Sequence, residues 1–248
     1  MFFGKKPNQS EQVEDQVASI LSADKVYPIE EALDQMQQRS KEVTKFVETV
    51  ELQVRLNVDP TKGDQMIRGT CILPAGTGKE VKVCVFADDE FHEDLKAIGA
   101  DGLGDENVLA DFAKGVINYD KIICTPDFVQ SLKKFARVLG PLGLMPNTKS
   151  GTLVQQDQLL EQVKQSKQGL IEFRISKEAF VMSKLGLRNF TPEQLAENFD
   201  ALMMALVERK PESIKGRYFM KGIIKTTYGP PVKVNLDKYS AICAAQNF

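Results

Sequence analysis

The sequence has no long apolar run, which argues against a helical membrane span, and its composition fits neither collagen nor a disordered polymer. Histidine occurs once, at His92. The four cysteines, at positions 71, 84, 124 and 243, include no C-x-x-C pair, so the usual structural zinc sites are out of reach and a reduced compartment fits best. The opening MFFGKKPNQSEQ has no apolar signal core, and its early acids Glu11, Glu14 and Asp15 argue against an intact organellar transit peptide. A presequence removed before Met1 stays open.

Catalytic signatures are scarce as well. No G-x-S-x-G elbow occurs. GTGKE (76–80) lacks the spaced glycine before its lysine, and the Ser or Thr after it, that phosphate cradling with magnesium requires. GADGLGDE (99–106) is not the dinucleotide pattern G-x-G-x-x-G, and a loop between helix and strand is the commoner use of such a stretch. His92 lies in the acidic run DDEFHEDLK on a predicted helix surface, without a positioned partner for general-base work. Cys71, Cys84 and Cys124 fall in apolar, strand-like runs where core packing is the default. The expectation is a protein that is not an enzyme and carries neither cofactor nor metal.

What is present suffices for a substantial core: 248 residues, 42% hydrophobic and 27% charged, enough for one large domain or two of ordinary size. The net charge of −2 conceals a polarity along the chain. Residues 1–70 and 71–162 carry net charges of −3 and −5, whereas residues 163–248 carry +6. A basic segment inside an acidic protein suits local attraction to a polyanion, because phosphate binding depends on the field at the contact surface. An ordinary solvated face would give the same count.

Periodicity supplies the elements. YPIEEALDQMQQRSK (27–41) places Ile29, Ala32, Leu33 and Met36 at helical spacing, and FVETVELQVRLNV (46–58) alternates as a half-buried strand. From Thr70 apolar and helical runs alternate: VKVCVFA (81–87), DDEFHEDLKAIG, ENVLADFAKGV, KIICT (121–125) and FVQSLKKFARVLG. That grammar predicts βαβ crossovers and a mainly parallel, three-layer sheet. QQDQLLEQVKQSKQG predicts a helix stopped by Gly169, LIEFRIS (170–176) a strand, and TPEQLAENFDALMMALVERK (191–210) a helix capped by Thr191 with Pro192 in its first turn. RYFMKGIIKTTYGPPVKVNL (217–236) reads as two strands joined by a turn at 228–231. The economical topology is a domain of about 71–160 inserted into a terminal domain built from both chain ends.

RNA binding is the chemistry best supported. Lys210, Lys215, Arg217, Lys221, Lys225, Lys233 and Lys238 are interleaved with Tyr218, Phe219 and Tyr228. Cations attract phosphate, while flat rings and hydroxyls allow stacking and 2′-OH contacts. At least one of Tyr218 and Phe219 is expected in the core. In Thr226-Thr227-Tyr228-Gly229-Pro230, Gly229 permits close backbone approach, and threonine hydroxyls stand where an apolar strand would use Val or Ile. Thr44-Lys45-Phe46 followed by Glu48 puts a cation and a ring at a strand entrance, and the two sites could face one RNA if the chain ends fold together.

At LGPLGLMPNTKSGTL (139–153) the chain resembles the ribosomal protein L-one family, whose pattern there is approximately LGPRGLMPNPKxGTV, with departures at Leu142, Thr148 and Leu153. KVYPIEEAL (25–33), residues 44–70, LPAGTGKEVKVCVFA (73–87), GADGLG (99–104), CTPD (124–127), GLIEFR (169–174) and KGRYFMKGIIKTTYGPPVKVN (215–235) match in order, covering nearly the whole chain. The resemblance implies an α/β and α+β protein. A discontinuous two-layer α+β terminal domain, residues 1–70 and 161–248, would carry the main rRNA contact, and a three-layer α/β/α Rossmann-like domain, residues 71–160, would be inserted by a hinge.

The family's RNA contacts carry over to Thr44, Lys45, Phe46 and Glu48, and to Thr227, Tyr228 and Gly229; Lys221 stands where the family often has Ser, and Tyr228 replaces the usual Met. With Lys225 and Thr226 from the residue reading, these form the expected rRNA site. Met182 and Leu187 stand where the family has His and Lys, and Leu142 removes an arginine, so cationic support on the inserted side is weaker. The implied role is a constituent of the large ribosomal subunit that binds the rRNA of its lateral stalk. There, beside other large-subunit proteins and away from any membrane, it would help deacylated tRNA leave the exit site. Eroded cations favour a mitochondrial ribosome, with bacterial cytoplasm and chloroplast stroma as alternatives. Other readings are translational repression through a stalk-like mRNA structure, a Rossmann-type nucleotide-binding enzyme, and a protein-interaction module.

Overall fold

A computed structural model describes residues 25–41 and 46–245. Its largest sheet has five strands in the order β1-β10-β9-β2-β8. β1 (Val26–Tyr27) and β2 (Thr49–Leu56) come from early in the chain; β8 (Phe180–Leu187), β9 (Phe219–Thr226) and β10 (Val232–Val234) come from its last third. β2 lies between β8 and β9 and is antiparallel to both. Its alternation places Val50, Leu52, Val54 and Leu56 on the buried face, where α1 (Ile29–Lys41) and α7 (Pro192–Glu208) cover them. α7 starts as expected: Thr191 accepts from the Gln194 N–H, the Gln194 side chain returns the bond, and Pro192 occupies the first turn. The opposite face of the sheet carries Glu51, Gln53, Arg55, Lys221, Ile223 and Lys225, none of them fully buried.

A separate sheet of three parallel strands runs β5-β4-β6, from Gly102–Leu103, Val83–Phe86 and Lys121–Cys124. Helices cover both faces. Val83, Val85 and Ile123 pack on α2 (His92–Ile98) and α6 (Gln156–Gln168), while Cys84, Phe86, Ile122 and Cys124 pack on α3 (Glu106–Ala113), α4 (Val129–Lys133) and α5 (Ala136–Leu139). GADGLG, expected as a loop, contains β5, because Gly102 and Leu103 pair with Cys84 and Val85 of β4; a side chain at Gly102 would strike the Tyr119 ring and one at Gly104 the ring of Phe86. FVQSLKKFARVLG, expected as one helix, breaks at Lys134-Phe135 into α4 and α5. All four cysteines are buried and unbridged.

β3 (Arg68–Ile72) and β7 (Leu170–Arg174) pair antiparallel as a ribbon between the two sheets, with Arg68 opposite Arg174 and Ile72 opposite Leu170. This corrects the boundary expected at 160/161: α6 packs Leu159 and Val163 on the three-stranded sheet, so the chain passes between the two cores along the ribbon. Gly169 ends α6 at φ 115°, as its position predicts, and a Cβ there would stand 2.7 Å from the Gly76 Cα. The loop after β3 is pinned from α7. Fully buried Asn198 accepts from the Ala75 N–H at 3.0 Å and donates to the carbonyls of Gly76 at 3.1 Å and Leu185 at 2.6 Å. β1, β3, β8 and the final helix α8 (Asp237–Ala245) were not anticipated from periodicity.

Candidate nucleic-acid interface

Two segments about 180 residues apart meet at one corner of the five-stranded sheet. β2 enters the sheet after Phe46, and β9 leaves it through the turn 226–231. The antiparallel pairing of Val50 with Thr226 brings these ends together. Phe46 and Tyr228 stand edge to face with ring centroids 5.7 Å apart, and both are exposed, at 51% and 67%. Thr227, also exposed, donates its hydroxyl to the Thr49 carbonyl at 3.4 Å.

Beneath the rings the turn is held by groups that do not reach solvent. Glu48 is fully buried; one carboxylate oxygen accepts from the Tyr228 N–H at 3.3 Å and the other lies 4.0 Å from the Arg188 guanidinium. The Glu48 carbonyl accepts the Arg188 N–H at 2.9 Å. Thr226 is also fully buried, and its hydroxyl accepts from the Gly229 N–H at 3.0 Å. The expectation that Thr226 offers its hydroxyl to ribose or phosphate is therefore corrected, and Glu48 likewise acts from below. Both set the turn that aims Tyr228 outward, because a buried carboxylate and hydroxyl are held where backbone N–H groups satisfy them.

The cations arrange in rows across the open face. Lys225 pairs in register with Glu51, which also opposes Lys184, and Lys221 pairs with Arg55, which also opposes Phe180. Lys225 approaches Glu51 at 3.5 Å, so part of its charge is balanced, whereas Lys221 is exposed. Four residues of strand separate the two lysines, about 13 Å at the usual rise. Tyr218 and Phe219, interleaved with cations in the sequence, are both in the core, and burial pushes the Tyr218 hydroxyl above its ordinary range. Arg217 and Lys238 are drawn to Asp237 and Asp200. Thr44 and Lys45 lie outside the described residues. Arg188 was missed by the sequence reading, since nothing in GLRNF marks that arginine as the partner of a carboxylate 140 positions earlier.

Residues 37–230 match the model of the ribosomal protein L1p/L10e family. The chain is also 39% identical over 219 residues to the large ribosomal subunit protein uL1 of Dechloromonas aromatica (strain RCB), covering 88% of this chain and 93% of that protein. The chain belongs to the ribosomal L1 family. That family is structural and non-enzymatic, which removes the nucleotide-binding enzyme as a reading.

The L1-family chain gives a physical reason for the same conclusion at its parallel sheet. A dinucleotide would sit at the carboxyl ends of the strands, beside the switch point between β4 and β6 where the strand order reverses. Here that crevice is lined by Asp88 and Asp105, whose carboxylates repel a pyrophosphate, and Asp88 already accepts from Gln156 at 2.6 Å. Gly104 serves the packing of Phe86.

Proposed function

We propose that the protein binds large-subunit rRNA through the exposed corner formed by Phe46, Thr227, Tyr228 and Gly229, flanked by Lys225 and Lys221. The observation that supports this reading is the meeting of the Phe46 and Tyr228 rings from distant parts of the chain on an exposed surface beside strand-borne lysines. Lysines supply phosphate attraction, the rings offer faces for bases or ribose, and the Gly229 backbone approaches the RNA closely. Glu48, Thr226 and Arg188 contribute by fixing the turn. Thr44 and Lys45 join the site as the resemblance implies.

In this reading the chain occupies the ribosome as its bacterial relative does. The body carrying the parallel sheet is a second, inserted domain. It moves with the stalk on the β3–β7 ribbon, beside other large-subunit proteins, and helps deacylated tRNA leave the exit site. The relative is bacterial, so it lends no support to a mitochondrial placement.

The test is a filter-binding titration of the full chain with large-subunit rRNA at several salt concentrations. Phe46→Ala and Tyr228→Ala should each weaken binding by about 1–3 kcal/mol. Lys221→Ala should flatten the salt slope by about 0.7–0.9 for its lost phosphate contact. Full affinity in both ring variants would overturn the assignment of this corner.

A further inference from the structure

A cleft of about 320 Å³ opens between the two sheets, next to the corner just described. Thr49 and Lys184 wall one side, and Lys121 with Met145 belongs to the other. Thr49 belongs to both features, since its carbonyl accepts the Thr227 hydroxyl. Lys121, the first residue of β6, is partly buried, and its ammonium makes no hydrogen bond or ion pair among the described residues. The acids around it are engaged or solvated: Glu172 holds Arg68 at 2.6 Å, Asp120 accepts the Lys82 N–H at 3.0 Å, and Glu80 is exposed. Burial pushes the Lys121 ammonium down to about 8, with Glu172 only partly opposing the shift. With Glu172 committed to Arg68, Lys121 is a desolvated cation facing the cavity without a hydrogen-bonded or ion-paired acceptor, and such a group is short of an anion.

The rest of the lining suits a flat apolar group. Val81, Ile122, Leu144, Met145 and Leu170 contribute apolar surface. The hydroxyls of Ser150 and Thr152 are consumed inside their own loop: they contact one another at 3.0 Å, and Thr152 accepts the Asn147 N–H at 2.9 Å. The motif at 139–153 thereby forms a preorganised wall that leaves the anion to Lys121. Lys79 and Lys184 offset Glu80 and Asp120 in the same lining, and with Glu172 held by Arg68 the charge left over is that of Lys121.

We infer that this cleft takes one phosphate-bearing nucleoside unit, its phosphate on Lys121 and its base against the Ile122–Met145 side. Two sources share that chemistry: a nucleotide extruded from RNA held at the neighbouring corner, which rests on the rRNA reading above, or a free nucleoside monophosphate. Either replaces solvent around a lone ammonium with a charge-assisted contact.

Reductive methylation of lysines in the full chain, read residue by residue by peptide mass spectrometry, tests this. The probes are AMP, GMP, CMP and UMP in one arm and large-subunit rRNA in the other. Protection of Lys121 by at least tenfold with any monophosphate supports the pocket with a free ligand; protection by rRNA alone supports the extruded nucleotide. Lys121→Met should lower monophosphate affinity at least tenfold in calorimetry, whereas Phe46→Ala, outside the cleft, should leave it unchanged. No protection of Lys121 in either arm, with rRNA still retained on the filter, overturns the pocket. Failure of rRNA to be retained overturns the corner instead, while the monophosphate arm still decides the pocket.

Discussion

Replacing Asn198 with alanine removes the side chain that ties the 73–79 loop to α7 and β8. The amide makes three bonds to backbone groups, at 3.0, 3.1 and 2.6 Å, from a fully buried position. Truncation leaves the Ala75 N–H and the carbonyls of Gly76 and Leu185 without those partners. Each orphaned buried group costs about 1–3 kcal/mol, and with water entering part of the gap the sum is about 3–5 kcal/mol. Urea unfolding followed by circular dichroism measures the loss, and hydrogen exchange at the Ala75 amide reports whether the loop has come free. A loss below about 1 kcal/mol, with Ala75 still protected, would refute the account. Asn198→Asp refines the test. The carboxyl still accepts from Ala75, but once ionised it faces two carbonyls, so its folded pKa is raised. The neutral acid gives stability that is full below the unfolded pKa and lost as pH rises through the folded one. This variant should therefore melt higher at pH 4 than at pH 7, relative to the parent chain.

Lys121→Met should raise stability at pH 7 by about 1–3 kcal/mol, because a partly desolvated ammonium is removed. In the parent chain the folded value of about 8 lies below the ordinary 10.5, so unfolding stability should climb across that interval, and the variant should lose the climb in pH-dependent urea titrations. Glu48→Gln keeps an acceptor for the Tyr228 N–H but leaves Arg188 facing a neutral amide. Thermal melts should show about 1–3 kcal/mol lost, and rRNA titration a weaker complex. Thr191→Ala, which opens the capping box of α7, should cost about 1 kcal/mol in urea unfolding while leaving rRNA affinity unchanged.

The elements that periodicity revealed are those with one dry and one wet face. β2 alternates along its whole length, and α7 carries a cap, a first-turn proline and an apolar stripe. β8 stayed hidden because its pattern is irregular. Met182 is exposed, Gly186 is buried, and a register shift opposite Val50/Glu51 breaks the alternation. The site was only half visible for a related reason. Sequence spacing marks which residues carry rings and charges, but it does not separate Tyr228, which points outward, from Tyr218, which fills the core. Nor does it show that Glu48 and Thr226 face inward, since only the pairing of β2 with β9 places their partners within reach. The boundary of the parallel-sheet body was misjudged because α6 is polar enough to suit either neighbour, and few of its residues, buried Leu159 and Val163 with half-buried Leu160, fix the core it joins.

β2, an interior strand of the five-stranded sheet, is made early in the chain but is flanked on both sides by strands made late. During synthesis β2 therefore waits for more than a hundred residues before either neighbour exists, and such distant pairing is slow to form. The corner that brings Phe46 to Tyr228 comes into being only after β9 and the turn that follows it are made. A product truncated before β9 would leave Phe46 without its companion ring.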